Sequence, residues 1–250
     1  MKKSQKRCEF IYKSGDHNMD LQLSLSKNLE KLADAYFRAL FIDYNVTSAL
    51  IIGERHSSIQ HSEVSEKLFG ESFKETEIGN IPNSWEVATL GDYCDVLLGG
   101  TPSRSNPSYW NGDVPWINSG KVNDFRITTA SEWITQKGLQ SSSTKIMPKG
   151  TTVLAITGAT LGQYSRLEIE CCANQSVIGL VPKSTLTNNF VYLSLKHDIN
   201  QLIDKQTGGA QQHINKNDVM TFKFALPPEE VIEAFEVIVA PIFDAISDLT

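Results

Sequence analysis

Arg104 stands in a polar loop, residues 99–106 (GGTPSRSN), among Thr101, Ser103, Ser105 and Asn106. A guanidinium presents parallel N–H donors that match two acceptors at once, on a carboxylate, a phosphate or the edge of a guanine. A second stretch, residues 157–163 (TGATLGQ), sets Thr157, Thr160 and Gln163 around two glycines. Glycine lets a backbone approach a phosphate closely, with the hydroxyl and amide groups as donors. The competing reading of that stretch is an ordinary glycine turn. A third stretch, Gln211-Gln212-His213, offers groups that hydrogen-bond base edges, glutamine being matched to adenine. All three supply contacts rather than bond-breaking chemistry.

Groups for catalysis do not fall into recognisable sets. No GxxxxGK[ST] phosphate loop, GxSxG elbow or HExxH helix occurs. His17, His56, His61, His197 and His213 are scattered without ligand spacing. Cys8, Cys94, Cys171 and Cys172 form no CxxC pair, and neighbours 171 and 172 point to opposite faces of a strand. Reduced thiols are therefore expected, and no metal site. One near-match is Asn106-Pro107-Ser108-Tyr109, which resembles the NPP[YF] motif of adenine-N6 methyltransferases. That motif holds a flipped base by hydrogen bonding and stacking. Ser108 replaces its second proline, and no glycine-rich loop for S-adenosylmethionine precedes it. A self-contained adenine-N6 methyltransferase fragment is one alternative reading. Tyr109, Trp110 and Trp116 are expected in the core rather than stacked on bases.

These groups need a scaffold, and the pattern indicates one. Residues 81–227 are broken by glycine, proline and asparagine into short segments. Strands are expected at 85–90, 93–98, 152–157, 176–182 and 221–226, and a helix at 189–205. The expected class is α+β: a mixed, mostly short-stranded domain flanked by long amphipathic helices forming an antiparallel, coiled-coil-like pair. The first flanking helix spans 20–44, where Leu25, Leu29, Leu32, Tyr36 and Leu40 recur on one face. The second spans 228–250, where Ile232, Phe235, Val239, Ile242, Ile246 and Leu249 alternate three- and four-residue steps, as in a helix–helix seam. Pro228, Glu229, Glu230 and Glu233 suit its N-terminal end, and Pro241 should bend it. Residues 1–19 are expected to be a disordered tail and 45–80 a connector.

The net charge of −6 argues at first against a polyanionic partner. Its distribution changes that. Residues 228–250 hold 6 acidic residues and no lysine or arginine, whereas 81–227 hold 12 basic and 11 acidic residues. The middle of the chain can still present a basic face. No apolar run approaches about 18 residues, so no membrane span is expected, and the basic N-terminus lacks the apolar stretch of a secretory signal.

Several stretches, taken in order, resemble the specificity subunits of type I restriction–modification systems. Residues 32–44 (LADAYFRALFIDY) are similar to the end of their central helix, and 81–92 (IPNSWEVATLGD) to the opening of their target-recognition domains. Residues 99–103 (GGTPS), 109–110 (YW) and 114–117 (VPWI) resemble the loop and strand that follow. Residues 157–162 (TGATLG), 173–175 (ANQ), 208–214 (GGAQQHI) and 226–230 (LPPEE) continue the likeness, which covers roughly 25–250. The resemblance implies a cytoplasmic, non-catalytic subunit whose ligand is double-stranded DNA, one recognition domain reading one half of a bipartite target. It implies candidate DNA contacts in the three polar stretches, joined by Lys121, Gln175 and Asn215. It further implies that the helices dock methyltransferase (modification) subunits and that a restriction/motor subunit joins them. Those partners, not this chain, would carry S-adenosylmethionine, ATP and Mg. Family members usually hold two recognition domains, and this chain holds one between two helices. A natural half-subunit, a split gene product and a fragment all fit that; for a natural half, pairing with a second half-subunit or with another copy through the helices is expected. A helix-mediated protein-interaction module without a DNA role is the remaining alternative.

Overall fold

The computed structural model describes residues 2–52, 63–183, 185–204 and 213–250, and within these the side chains from 19 to 52 and from 66 onward. Helix α1 (Lys2–Phe37) runs into a π-helical turn at Arg38–Ile42. Its backbone is already helical at Lys2, within the segment expected as a tail. The expected connector is also structured, as α2 (Asn45–Ile52), α3 (Glu63–Phe69) and the antiparallel pair β1 (Phe73–Thr76) and β2 (Gly79–Pro82). Its polar composition concealed a few directed bonds. Thr47 Oγ1 donates to Phe69 O at 2.6 Å, and the buried Trp85 donates its indole N–H to Leu68 O at 3.0 Å.

The domain that follows runs β3 (Glu86–Thr89), α4 (Leu90–Tyr93), β4 (Cys94–Leu98), β5 (Trp110–Ile117), β6 (Glu132–Ile134), α5 (Gln136–Gln140), β7 (Thr152–Ala155), β8 (Tyr164–Arg166), β9 (Cys172–Ala173) and β10 (Val177–Pro182). It closes with α6 (Asn188–Asp204), α7 (Lys216–Met220), β11 (Lys223–Leu226) and α8 (Glu229–Leu249). The sheets are β4-β10-β7-β8, β6-β5-β9 and β11-β3, antiparallel except for the β5–β9 pair. All five expected strands occur. β5 did not read as one because Asn111, Gly112 and Pro115 punctuate it. The strand accommodates Asn111 with φ 61° and a register shift between Trp110 and Val114.

Helices α1, α6 and α8 pack over the β4-β10-β7-β8 sheet in one core. The rings of Phe37, Phe41, Phe190 and Phe235 meet at 4.8–5.8 Å between centroids. α1 and α8 run antiparallel: Phe37 meets Phe235 near the start of α8, while Glu30 reaches Tyr192, whose ring meets Phe243 two turns later. α8 buries Val231, Ile232, Phe235, Val239, Phe243 and Ile246. Each fully buried side chain of this kind contributes about 1.5–3 kcal/mol. Ile242 and Leu249, expected in the seam, are half-buried, and Phe243 takes the inner place. From Ile232 to Ile246 the buried row steps by 3, 4, 4 and 3, so a four-residue step after Val239 selects Phe243 in place of Ile242. The helix is continuous through Pro241.

The inner face of α1 is not the leucine stripe. Ser26, Glu30, Ala33 and Phe37 are buried, whereas Leu25, Leu32 and Tyr36 are 49, 48 and 43 % exposed and Leu29 is half-buried. Two causes turn the helix. Small Ser26 and Ala33 fit a buried face, and Glu30 is drawn inward by arginine. Arg126 Nη2 pairs with Glu30 at 2.8 Å, and Lys196 Nζ reaches the other Glu30 oxygen at 3.1 Å. A second arginine, Arg166, donates to Asn189 Oδ1 at 2.9 Å, and Asn189 donates to Glu236 of α8 at 2.7 Å. Burial pushes the Arg166 pKa down, with Glu168 opposing. These pairs tie the strand domain to the helices.

Candidate nucleic-acid interface

Five strand ends meet on one rim of the domain. β10 begins beside the ends of β4 and β7, and β5 and β9 end together. Main-chain bonds lace the loops that leave them. Gly99 N donates to Val177 O and Gly100 N to Ala173 O, at 3.0 and 2.8 Å. Asn174 N donates to Ile117 O, Ile156 N to Ser176 O and Ile214 N to Ile156 O, at 2.9, 2.9 and 3.0 Å. The result brings Thr101, Lys121, Thr157, Gln175 and His213 to one edge from five distant parts of the sequence. Thr101 and Gln175 are joined directly, Oγ1 donating to Oε1 at 2.6 Å. The turn at Ser119–Asn123, which holds Lys121, lies beside the turn at Gly158–Thr160.

The glycines explain how the loops fit. A Cβ on Gly99 would stand 2.1 Å from Asn174 O, so only glycine allows this backbone-to-backbone approach. Gly158 differs: its φ is +70° and nothing lies within 4 Å of a Cβ placed there. Its surroundings are open, with Gly158 and Ala159 exposed and Thr157 and Thr160 half-exposed. Gln163 is exposed on the same loop, its carbonyl accepting from Ala155 N at 2.8 Å. Thr160 Oγ1 makes only a long local bond to Thr157 O, at 3.4 Å.

Other candidates are already engaged. Asn106 Oδ1 accepts from Ser108 N and Oγ at 3.1 and 2.7 Å, capping the turn Pro107–Tyr109. The four residues that resembled a methyltransferase motif thus form a capped turn. Asn215 forms a capping box with Asp218 at the start of α7. Ser103 and Ser105 are exposed and bond each other at 2.8 Å. Arg104 is stacked on Trp110, 3.6 Å from guanidinium to ring centroid, and pairs through both terminal nitrogens with Glu132 at 2.5 and 2.7 Å. Lys121 Nζ pairs with Asp124 at 2.7 Å. The rim is therefore polar rather than densely basic. Gln211 and Gln212 lie outside the described residues. Trp116 is buried with Trp110 half-buried against it, in keeping with core packing, whereas Tyr109 is half-buried outside the core clusters.

The sequence reading missed Asn118, Asn174 and Glu132. Asn118 caps the turn that holds Lys121, and Asn174 Oδ1 accepts from Ser176 N at 3.1 Å. Asparagine just after a strand was the available signal. Nothing in sequence marked Glu132, which meets Arg104 only in the fold. Among the described residues no group of three His, Cys, Asp or Glu is placed to hold a metal ion, and no helix is long and apolar enough to cross a membrane.

Comparison with known proteins finds relatives over most of the chain. A family model described as the type I restriction modification DNA specificity domain matches residues 82–249. The chain is 33 % identical over 127 residues to the type I restriction enzyme MjaIX specificity subunit of Methanocaldococcus jannaschii, covering 50 % of this chain and 29 % of that protein. It is 23 % identical over 283 aligned residues to the HindI specificity subunit of Haemophilus influenzae, covering 97 % and 61 %. The crystal structure of the HsdS subunit from Thermoanaerobacter tengcongensis superposes with a TM-score of 0.53 at 16 % identity, covering 98 % of this chain and 50 % of that one. At that identity the likeness shows the fold. The chain spans less than two thirds of the length of each of these relatives.

Proposed function

The chain belongs to the type I restriction–modification DNA specificity family, and on that premise we propose that it reads one half of a bipartite DNA target without catalysing a reaction itself. The observation that carries this reading is the rim. Five strand ends gather hydroxyl, amide, imidazole and ammonium groups on one edge, around a glycine turn open enough for a phosphate. Phosphate contacts position a protein on the duplex, and side chains such as Gln175 and Thr157 are of the types that read base edges. S-adenosylmethionine, ATP and Mg belong, on this reading, to the methyltransferase and motor subunits that the helices engage. Neither the methyltransferase reading nor the DNA-free interaction module has comparable support, because Asn106 is spent on a turn and the matched family is a DNA specificity domain.

The exposed stripe of α1 supports a partner. Leu25, Leu32 and Tyr36 remain in water after α8 has packed, and Val237 and Ile238 of α8 are exposed too. Two copies joined along these faces would present two rims, one per half-site. The test is methylation. The chain is mixed with the methyltransferase subunit of its own system, and the modified positions in a plasmid library are sequenced. A recurrent sequence, whose modification falls as salt rises, is expected. Modification without sequence preference, or none with the complex assembled, sinks the proposal.

A further inference from the structure

The Arg104–Glu132 pair is exposed, yet it is built with unusual precision for a surface contact. The guanidinium lies 3.6 Å from the Trp110 ring centroid and 5.2 Å from that of Trp116. Both indoles are fixed, Trp110 by donating to Ser103 O at 3.2 Å and Trp116 by donating to Gly100 O at 3.1 Å. Stacking fixes the plane of the guanidinium, so its two terminal nitrogens point in one direction. In that direction stands the Glu132 carboxylate, bonded in parallel through both oxygens. The hydrogen bond from Arg104 holds the Glu132 carboxyl below its usual range, so the pair is ionised at neutral pH.

The location gives this arrangement a use. Glu132 lies opposite Trp116, one residue before Ile117, and Ser131 Oγ accepts from Asn118 N at 3.2 Å. Asn118 and Thr101 belong to the rim, so the pair stands at its border. A carboxylate offers two coplanar acceptors, as do a phosphate and the O6/N7 edge of guanine. Exposed ion pairs contribute little to stability, and the two indoles already hold the loop. We propose that Glu132 is a displaceable stand-in for DNA, and that Arg104, keeping its place on Trp110, exchanges the carboxylate for a two-acceptor group of the duplex. The proposal rests on the DNA reading above. The exchange replaces one forked pair by another, while the duplex repels Glu132. In the free protein the carboxylate blocks Arg104 from isolated charges, so Glu132 sets selectivity as well as affinity.

The test measures binding of a labelled duplex pool of randomised sequence by anisotropy, using the full chain with its methyltransferase partner. Glu132→Gln is expected to tighten binding about tenfold, more than Asp113→Asn, which removes an exposed charge from the same sheet. The gain should vanish in the Arg104→Ala/Glu132→Gln double variant. Arg104→Ala alone, with the bound fraction of the pool sequenced, separates the acceptors: loss of one selected guanine marks a base contact, and uniform weakening with a salt slope reduced by about one marks a phosphate. An equal gain from Asp113→Asn, a gain that persists without Arg104, or no gain at all overturns the latch. Glu132→Ala, checked by near-UV circular dichroism, serves if the glutamine variant misfolds. If the wild type binds no DNA in the complex, the DNA reading falls and the latch with it. Wild-type binding that Glu132→Gln leaves unchanged removes the latch alone.

Discussion

Arg126 places its Nη2 2.8 Å from Oε2 of Glu30, with the arginine side chain 1 % exposed. One pair thereby joins the strand domain to α1. Tyr192 of α6 donates to the same carboxylate oxygen at 3.1 Å, and the Arg126 guanidinium also faces Phe243 of α8 at 5.8 Å. All three helices and the domain thus meet at one buried arginine. Glu168, nearly as buried, stands 3.7 Å from its Nε.

Removing Glu30 leaves the buried Arg126 only the more distant Glu168 carboxylate. Glu30→Gln is expected to cost about 3–5 kcal/mol in urea unfolding. Lys196→Met, whose ammonium is partly exposed, should cost clearly less. Equal losses would show that Arg126 is not the centre of the cluster.

Gly99→Ala drives a methyl group against Asn174 O and should cost about 1–3 kcal/mol, loosening the rim. Gly158→Ala meets no neighbour and carries only the strain of a positive φ, about 1–2 kcal/mol. Paired thermal melts, together with DNA binding, check the order. A Gly99→Ala protein as stable as wild type would mean that the two backbones can separate freely.

Burial pushes the thiols of Cys94 and Cys171 up to about 12 and that of Cys172 to about 11. The thiolate is the reactive form. These three should stay unmodified by a thiol reagent at neutral pH until denaturant is added, as mass spectrometry of alkylated peptides can show. Rapid native labelling of any of them contradicts the packing.

Leu25→Glu with Leu32→Glu alters only exposed positions of α1. The thermal midpoint should change little, while self-association or partner docking, followed by light scattering, is lost. Unchanged assembly would assign the interface to another surface.

Glu132 is an acid whose folded pKa is lowered by Arg104. Its contribution is present above the unfolded glutamate value and is lost as pH falls through the lower, folded one. Emission from Trp110 should therefore change only below the ordinary glutamate range, and not at all in Arg104→Ala. A transition at or above that range contradicts the pairing. The stability change itself should be small, because the pair is exposed.

The sequence by itself determined the parts that repeat or punctuate. The 3–4 steps from Ile232 to Ile246 marked α8, and β-branched runs between glycines marked five strands, because burial on one face imposes a period. The order of short motifs pointed to the family. Tertiary structure decided which face of α1 turns inward. Apolar periodicity selects the leucines, but a buried guanidinium selects Glu30, and small Ser26 and Ala33 share the buried face with it. It also decided the fate of the polar candidates. Asn106 and Asn215 looked free to bind yet close their own turns. Arg104 looked free yet lies against Glu132, a partner on β6 that no local spacing reveals. The rim itself exists because β10 runs antiparallel to β4 and β7 and β9 runs parallel to β5, which brings loops far apart in the chain to one edge.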